Sequence, residues 1–332
     1  MKKTIAVLGA GSFGTVCAKF LAENGHDVRI WNWEGDQKPL DEIAQYHENK
    51  TYVPGVVLPK NIFPVYTLAE ALDGATIVFY ALASNVIKTV FCASLPYITK
   101  EMMLVSLTKG MDMETLDVFP RIFAGLLEEG AQKRILTISG PAIAGQLAQG
   151  KSTVMAIAGT NASACSIVKK VCDNDHVCLI PTSDIVGVEL GGAFKNVYAI
   201  MLGICDGLGI ALNTKSALLT FCIEEMGRVC VAMGGKKETI VGVAGLGDMI
   251  GTALSPDSRN RRFGQYIVGG LSLQDACAKV GQTVEGVEST AIFLALASKY
   301  NIHTPIALFV QHVIDGGSVV VDDVFNLCTY DS

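Results

Sequence analysis

The chain has 332 residues, half of them apolar, with 34 glycines and only 17% charged side chains, against about 25% in an ordinary soluble domain. That composition excludes intrinsic disorder, which needs low hydrophobicity and high charge. A formal net charge of −6, from 32 acidic and 26 basic side chains, excludes a nucleic-acid binder that relies on a globally basic surface.

At about 150 residues per domain, this length predicts two domains. Residues 4–8 are a short apolar run that predicts a strand. Residues 14–24 have helical spacing, with Val16, Phe20 and Leu21 on one face and Gly25 as the stop. Strand 28–31 follows, then a loop rich in proline and glycine at 53–64. Residues 68–72 predict a short helix ended by Asp73-Gly74. Residues 75–81 are continuously apolar, the pattern of a parallel strand covered on both faces, and 103–107, 134–138 and 153–158 are similar. Strand and helix in alternation predict a doubly wound α/β domain with a parallel sheet. Near 181–188 the pattern changes, and helical spacing takes over at 189–202, 215–233, 272–280, 287–300 and 305–315. The second half therefore predicts an all-helical domain, and the division falls into 1–185 and 186–332.

The mean hydropathy of +0.39 raises the question of a membrane span. A span needs about 20 consecutive apolar residues. The nearest stretches, 197–212 and 240–254, carry Asp206 and Asp248, and neither predicts one. Lys2 and Lys3 before an apolar run mimic a signal peptide, but the glycine pattern that follows explains the run better. The ten cysteines form no C-x-x-C pair and mostly lie in apolar runs such as Phe221-Cys222-Ile223. That pattern predicts buried free thiols and a reducing, cytoplasmic compartment. Five scattered histidines predict no metal site.

Gly9-Ala10-Gly11-Ser12-Phe13-Gly14 follows a strand and opens a helix, the setting that a dinucleotide fingerprint requires. Gly9 permits the tight turn, Gly11 lets backbone approach a pyrophosphate, and Gly14 lets helix and strand pack closely. The alternative is a turn that merely needs glycine. An acid about 20 positions on normally binds the ribose 2′-hydroxyl. Here the second strand ends in Trp31-Asn32-Trp33-Glu34, so Asn32 takes the acid's position. No Arg or Lys lies between Asn32 and Gln37 to receive a 2′-phosphate, which points to NAD rather than NADP.

Because charge is scarce, its placement is informative. Asp248 is the only charge from 239 to 256 and follows Gly245-Leu246-Gly247. A helix starting there puts Asp248, Thr252 and Ser255 on one face. The alternative is a simple N-cap. Lys195 is the only charge from 190 to 205 and has two readings, a side chain that snorkels outward or a buried general acid. Lys109 is the only charge from 102 to 111 and lies at the carboxyl end of a predicted strand, where open α/β sheets bind ligands. Ser258-Arg259-Asn260-Arg261-Arg262-Phe263-Gly264 is a dense basic cluster. It reads as a solvated turn, an RNA-facing patch or a binder of phosphate oxygens. The acidic total favours a single anionic small molecule.

These residues together resemble the NAD(P)-dependent sn-glycerol-3-phosphate dehydrogenases of the soluble bacterial type. The resemblance spans nearly the whole chain. Seven blocks carry it in family order: Gly9 to Gly14, Thr108-Lys109-Gly110, Ser139-Gly140-Pro141, Gly187-Val188-Glu189-Leu190-Gly191-Gly192-Ala193-Phe194-Lys195-Asn196, Ala244-Gly245-Leu246-Gly247-Asp248, Ser258-Arg259-Asn260 and Val284-Glu285-Gly286. It implies a Rossmann domain followed by an all-helical domain, a homodimer, and interconversion of dihydroxyacetone phosphate and sn-glycerol 3-phosphate with NAD or NADP. It implies that Lys195 exchanges the proton at the substrate oxygen, and that Lys109, Asn196, Asp248 and Thr252 complete the polar site. Ser258, Arg259 and Asn260 then hold the substrate phosphate, with Arg259 linking it to the cofactor. Gly9, Gly11, Ser12, Phe13, Gly14, Trp33, Lys109, Gly140, Ala144, Thr283 and Glu285 match positions that contact the cofactor. The expected product feeds phospholipid synthesis. No nucleic-acid partner is implied.

The chain departs from the family after Ser139-Gly140-Pro141, where Ala142 and Gln146 replace a hydroxyl and a carboxylate. A related reductase of the 6-phosphogluconate or short hydroxy-acid type would not carry the Gly-Leu-Gly-Asp and Ser-Arg-Asn blocks. A cofactor sensor without catalysis would not need Lys109, Lys195 and Asp248.

Overall fold

Along β1 (Thr4–Leu8), Ile5 and Val7 enter one hydrophobic core while Ala6 and Leu8 enter another. A strand with both faces buried must sit inside a sheet covered on both sides. The computed structural model describes residues 2–255, 258–281 and 283–329 and shows that sheet. Its strands are β1, β2 (Asp27–Trp31), β3 (Ile62–Val65), β4 (Ile77–Tyr80), β5 (Met103–Ser106), β6 (Ile135–Ser139), β7 (Thr153–Gly159) and β8 (Val177–Thr182), in the order β3-β2-β1-β4-β5-β6-β7-β8. Strands β1 to β6 pair in parallel. The stretch expected as another parallel strand, β7, runs antiparallel to β6, and β8 then pairs with it in parallel. An apolar run reports burial on two faces but not direction.

The intervening helices are α1 (Ser12–Glu23), α2 (Lys38–Tyr46), α3 (Leu68–Leu72), α4 (Ser84–Ser94), α5 (Phe119–Leu126), α6 (Ala144–Ala148) and α7 (Ala162–Cys172). Residues of α1, α2, α6 and α7 join Ile5 and Val7, while those of α3, α4 and α5 join Ala6 and Leu8. Phe91 and Phe123 stack 3.7 Å apart in the second core, with Tyr80 tilted against both. Strand β3 falls inside the stretch 53–64 expected as loop and continues to Val65. It is an edge strand, so Pro64 costs it no ladder bond and Phe63 stays exposed.

Contacts divide the chain into Met1–Asp112 with Asp117–Ile185, and Met113–Leu116 with Val186–Ser332. The second unit is helical: α8 (Ile185–Gly207), α9 (Leu212–Ala232), α10 (Lys237–Ile240), α11 (Asp248–Ala253), α12 (Arg259–Val268), α13 (Leu273–Val280), α14 (Glu285–Lys299), α15 (Pro305–Ile314) and α16 (Val321–Leu327). Helix α8 runs further at both ends than its expected 189–202. It is long and apolar enough to cross a membrane, but 94% of its most apolar window is buried inside the protein, as in a core helix. Every residue from Val186 to Cys205 is buried.

A buried carboxylate holds two of these helices together. Glu225 of α9 accepts the N–H groups of Ile306 and Ala307 at the start of α15, both at 3.0 Å, and the Tyr198 hydroxyl at 3.3 Å. Burial pushes its carboxyl up to about 7, and the two N–H donors resist that rise. The folded protein therefore holds this proton more tightly than the unfolded chain does, so the group's contribution is full below 4.5 and is lost as pH rises to about 7. The loss is about 3 kcal/mol. Glu225→Gln is expected to flatten the fall in stability over that window, as measured by urea unfolding at stepped pH. An unchanged slope would dismiss Glu225 as its source.

Candidate active site

The turn after β1 shows which glycines serve packing and which does not. Gly9 lies at φ +115°, donates its N–H to Trp31 O at 2.8 Å, and would place a Cβ 2.3 Å from Ala81 O. A Cβ at Gly14 would fall 1.9 Å from Gly9 O. Gly11 has φ −70° and ψ −175°, open to any residue, and a Cβ there meets nothing within 4 Å. Neither backbone conformation nor internal packing demands glycine at 11. Among the described residues no side chain caps α1, so its leading N–H groups suit an anion. The bare turn therefore fits the pyrophosphate of a dinucleotide.

Side chains fix this turn from beneath. Asn49, fully buried and not anticipated from sequence, donates to Ala10 O and Thr15 Oγ1, both at 2.8 Å. Asn32 accepts the Ala10 N–H at 3.2 Å. Ser12 Oγ donates to Tyr52 O at 3.1 Å, and Phe13 packs partly against the core. Trp33 is 55% exposed and lies against Gly35, where a Cβ would meet its ring at 2.1 Å. Lys109, just past β5, donates from Nζ to Gly140 O at 3.0 Å, which joins two of the expected positions in one contact. Ala144 opens α6 and packs against the core, as does Ala142. Gln146 is exposed.

In the second unit, glycine brings charge to charge. A Cβ at Gly191 would sit 2.5 Å from Ala244 O, so α8 meets the segment before α11 backbone to backbone. That segment, Val243–Gly247, is a π-helical turn in which Gly247 N–H reaches Gly242 O at 3.1 Å. Such turns recur at functional sites. Lys195 lies one turn beyond Gly191, and Asp248 four residues beyond Ala244. Their side chains meet in an ion pair between Lys195 Nζ and Asp248 Oδ1, 7% and 1% exposed. Thr252 Oγ1 lies 3.5 Å from the same oxygen. Lys195 does not snorkel: its side chain turns to Asp248 and is only 9% exposed. Ser255 falls beyond the end of α11 and does not share that face.

The next residue along α8 starts a second group. Asn196 Nδ2 donates to Glu285 Oε2 at 3.2 Å, and Arg259 Nη2 stands 3.9 Å from Glu285 Oε1. Asn260 is buried and accepts the Gly286 N–H at 2.9 Å. Thr283 is exposed in the loop before α14. The basic cluster is neither a solvated turn nor a uniform patch. It opens α12, with Ser258 Oγ accepting the Arg261 N–H as its cap. Arg261 is tied to Asp206, which Lys215 also pairs at 2.8 Å. Burial opposes the Asp206 charge, but those two cations outweigh it and hold its carboxyl below the usual range. Arg259 is more exposed at its side chain than Arg261, 38% against 23%, with its fork toward Glu285.

A doubly wound sheet whose first turn leaves the leading N–H groups of α1 without a side-chain cap is the architecture of a dinucleotide-dependent oxidoreductase. The sequence matches the family described as NAD-dependent glycerol-3-phosphate dehydrogenase, its N-terminal model over residues 4–165 and its C-terminal model over residues 184–324. It is 36% identical over 325 residues to the glycerol-3-phosphate dehydrogenase [NAD(P)+] of Bacillus velezensis, covering 98% of this chain and 94% of that protein. Its likeness to the same enzyme of Moorella thermoacetica is 37% over 324 residues, covering 98% and 95%. The crystal structure of glycerol-3-phosphate dehydrogenase from Coxiella burnetii superposes with a TM-score of 0.91 at 32% identity, over 99% of both chains. The chain belongs to the NAD-dependent glycerol-3-phosphate dehydrogenase family.

Proposed function

We propose that this protein interconverts dihydroxyacetone phosphate and sn-glycerol 3-phosphate with NAD(P)H and NAD(P)+. The observation that carries the reading is the buried Lys195–Asp248 pair, placed by glycine contacts in a chain of this family. A nicotinamide cofactor held by the glycine turn would supply the hydride for reduction and accept it in the reverse direction. As the ketone is reduced, negative charge builds on its oxygen, and Lys195 Nζ stabilises that charge and gives up a proton to form the hydroxyl. Asp248, which Thr252 Oγ1 approaches at 3.5 Å, holds the Lys195 side chain in place. Arg259 and Asn260 receive the substrate phosphate at the start of α12, with Ser258 holding that turn and Asn196 fixed through Glu285. Lys109 stands beside Gly140 on the cofactor's ground. Gly9, Gly11 and Gly14 cradle the pyrophosphate, and Trp33, Gly140 and Ala144 line the rest of the cofactor's ground. The enzyme works in the cytoplasm as a homodimer and supplies glycerol phosphate for phospholipid synthesis. Exposed apolar side chains at Leu308, Val321 and Phe325 suit a partner copy.

The test is loss of NADH absorbance on adding dihydroxyacetone phosphate, repeated with NADPH. No oxidation with either would favour a cofactor sensor. Arg259→Ala is expected to raise KM for the phosphorylated substrate by about tenfold or more, with a smaller change in kcat, because it removes a charge-assisted contact made equally to bound substrate and transition state. An unchanged KM would place phosphate recognition elsewhere.

A further inference from the structure

The acidic residue that should meet the adenosine ribose is missing from its usual place, yet the structure supplies another. Asn32 is 5% exposed and its side chain is fully used. Its Oδ1 accepts the Ala10 N–H of the glycine turn, and its Nδ2 donates to Asp36 O at 2.6 Å and Asp36 Oδ2 at 3.2 Å. The same Oδ2 accepts the Tyr52 hydroxyl at 2.8 Å. Tyr52 in turn accepts Ser12 Oγ at its main-chain carbonyl. Two separate chains, Ala10–Asn32–Asp36 and Ser12–Tyr52–Asp36, therefore tie one carboxylate to the turn that fits the pyrophosphate. Among the described residues nothing bonds to Asp36 Oδ1. The Asp36 carboxylate also pushes the Tyr52 phenol up, as a nearby anion must.

On the reading that this turn holds a dinucleotide, we propose that Asp36 accepts the adenosine ribose hydroxyls in place of residue 32 and makes the protein select NAD(H) over NADP(H). A 2′-phosphate would bring its negative charge against Asp36, with Glu34 two residues away. The cations nearest in sequence are engaged: Lys38 lies 3.7 Å from Glu42, Arg29 donates to Glu70 O at 2.7 Å, and Lys50 sits 3.4 Å above the Tyr46 ring. Asp36 is a specificity residue, and it takes no part in the reaction itself.

The test is fluorescence titration of NADH and of NADPH, with no substrate present, against the wild type, Asp36→Asn and Tyr52→Phe. The wild type is expected to bind NADH at least about tenfold more tightly than NADPH, the scale of one charge-assisted hydrogen bond. Asp36→Asn weakens NADH by about tenfold, strengthens NADPH and brings the ratio near one. Tyr52→Phe keeps the charge, so the preference survives. Competition on the wild type by AMP and by adenosine 2′,5′-bisphosphate needs no variant, and AMP should win. Equal binding of NADH and NADPH by the wild type, or an unmoved ratio in a folded Asp36→Asn, would overturn the proposal. Either result with intact reduction of dihydroxyacetone phosphate leaves the proposed function standing. Selective NADH binding without reduction sinks that function and leaves Asp36 in its role.

Discussion

Lys195→Ala is expected to slow reduction of dihydroxyacetone phosphate by about a thousandfold or more while NADH still binds. In the role proposed for Lys195 the substitution removes both the proton donor and the charge facing the substrate oxygen, and each is a large term in carbonyl reduction. The variant should also be less stable, because Asp248 is buried and loses the Lys195 cation. Breaking a buried pair from one side costs about 3–5 kcal/mol. That cost complicates a single substitution, so the pair is best changed together. Lys195→Met with Asp248→Asn removes both charges at similar volume, and should regain most of the stability but none of the turnover. Thermal unfolding and steady-state rates on the three proteins separate the two effects. Near-normal turnover in Lys195→Ala would remove Lys195 from the role. Recovery of turnover in the double variant would make the pair a matter of folding alone.

Much of this was legible because the chain is poor in charge. A lone lysine or aspartate in an apolar run must find a partner or a use, and Lys195 and Asp248 found each other across 53 positions. The glycine turn was legible because its strand and helix are short-range. What stayed hidden depends on neighbours that a local pattern does not contain. Strand β8 lies at the sheet edge and buries only alternate residues, so its run with Pro181 did not read as a strand. Helix α12 opens with three arginines in four residues and shows its apolar side only through Phe263, Gly264 and Ile267. Its sequence alone shows a basic cluster, because the Asp206 that holds Arg261 lies more than 50 positions away. Asn32 read as an acid lost from its place, because its link to Asp36 runs through a turn with no periodicity. Asn49 gave no signal, since a buried asparagine in a loop is explained only by the Ala10 carbonyl it reaches.

The contact that sets α12 on α8 carries the second large effect. A Cβ at Gly264 would lie 2.3 Å from Ile200 O and 2.8 Å from Ile204 N, both main-chain atoms of α8. Neither can swing away as a side chain tip would, so Gly264→Ala must part the two helices by the better part of an ångström. Asn260 lies one turn before Gly264 on α12, and Asn196 one turn before Ile200 on α8. Parting the helices therefore moves the start of α12, where the substrate phosphate is proposed to bind, away from Lys195 and Asn196. The variant is expected to lose about 1–3 kcal/mol of unfolding stability to overpacking. It should lose about a hundredfold in kcat/KM, the cost of a misplacement on this scale. Gly125→Ala is the matched comparison. It sits in α5 with nothing within 4 Å of the added Cβ, and should stabilise by about 0.5–1 kcal/mol through helix propensity alone. The same chemical change would thus carry opposite signs at two helical glycines. If Gly264→Ala melts and turns over like the wild type, α8 and α12 are not in backbone contact there, and the site must be held together by the side chains of Glu285 and Asn260 instead.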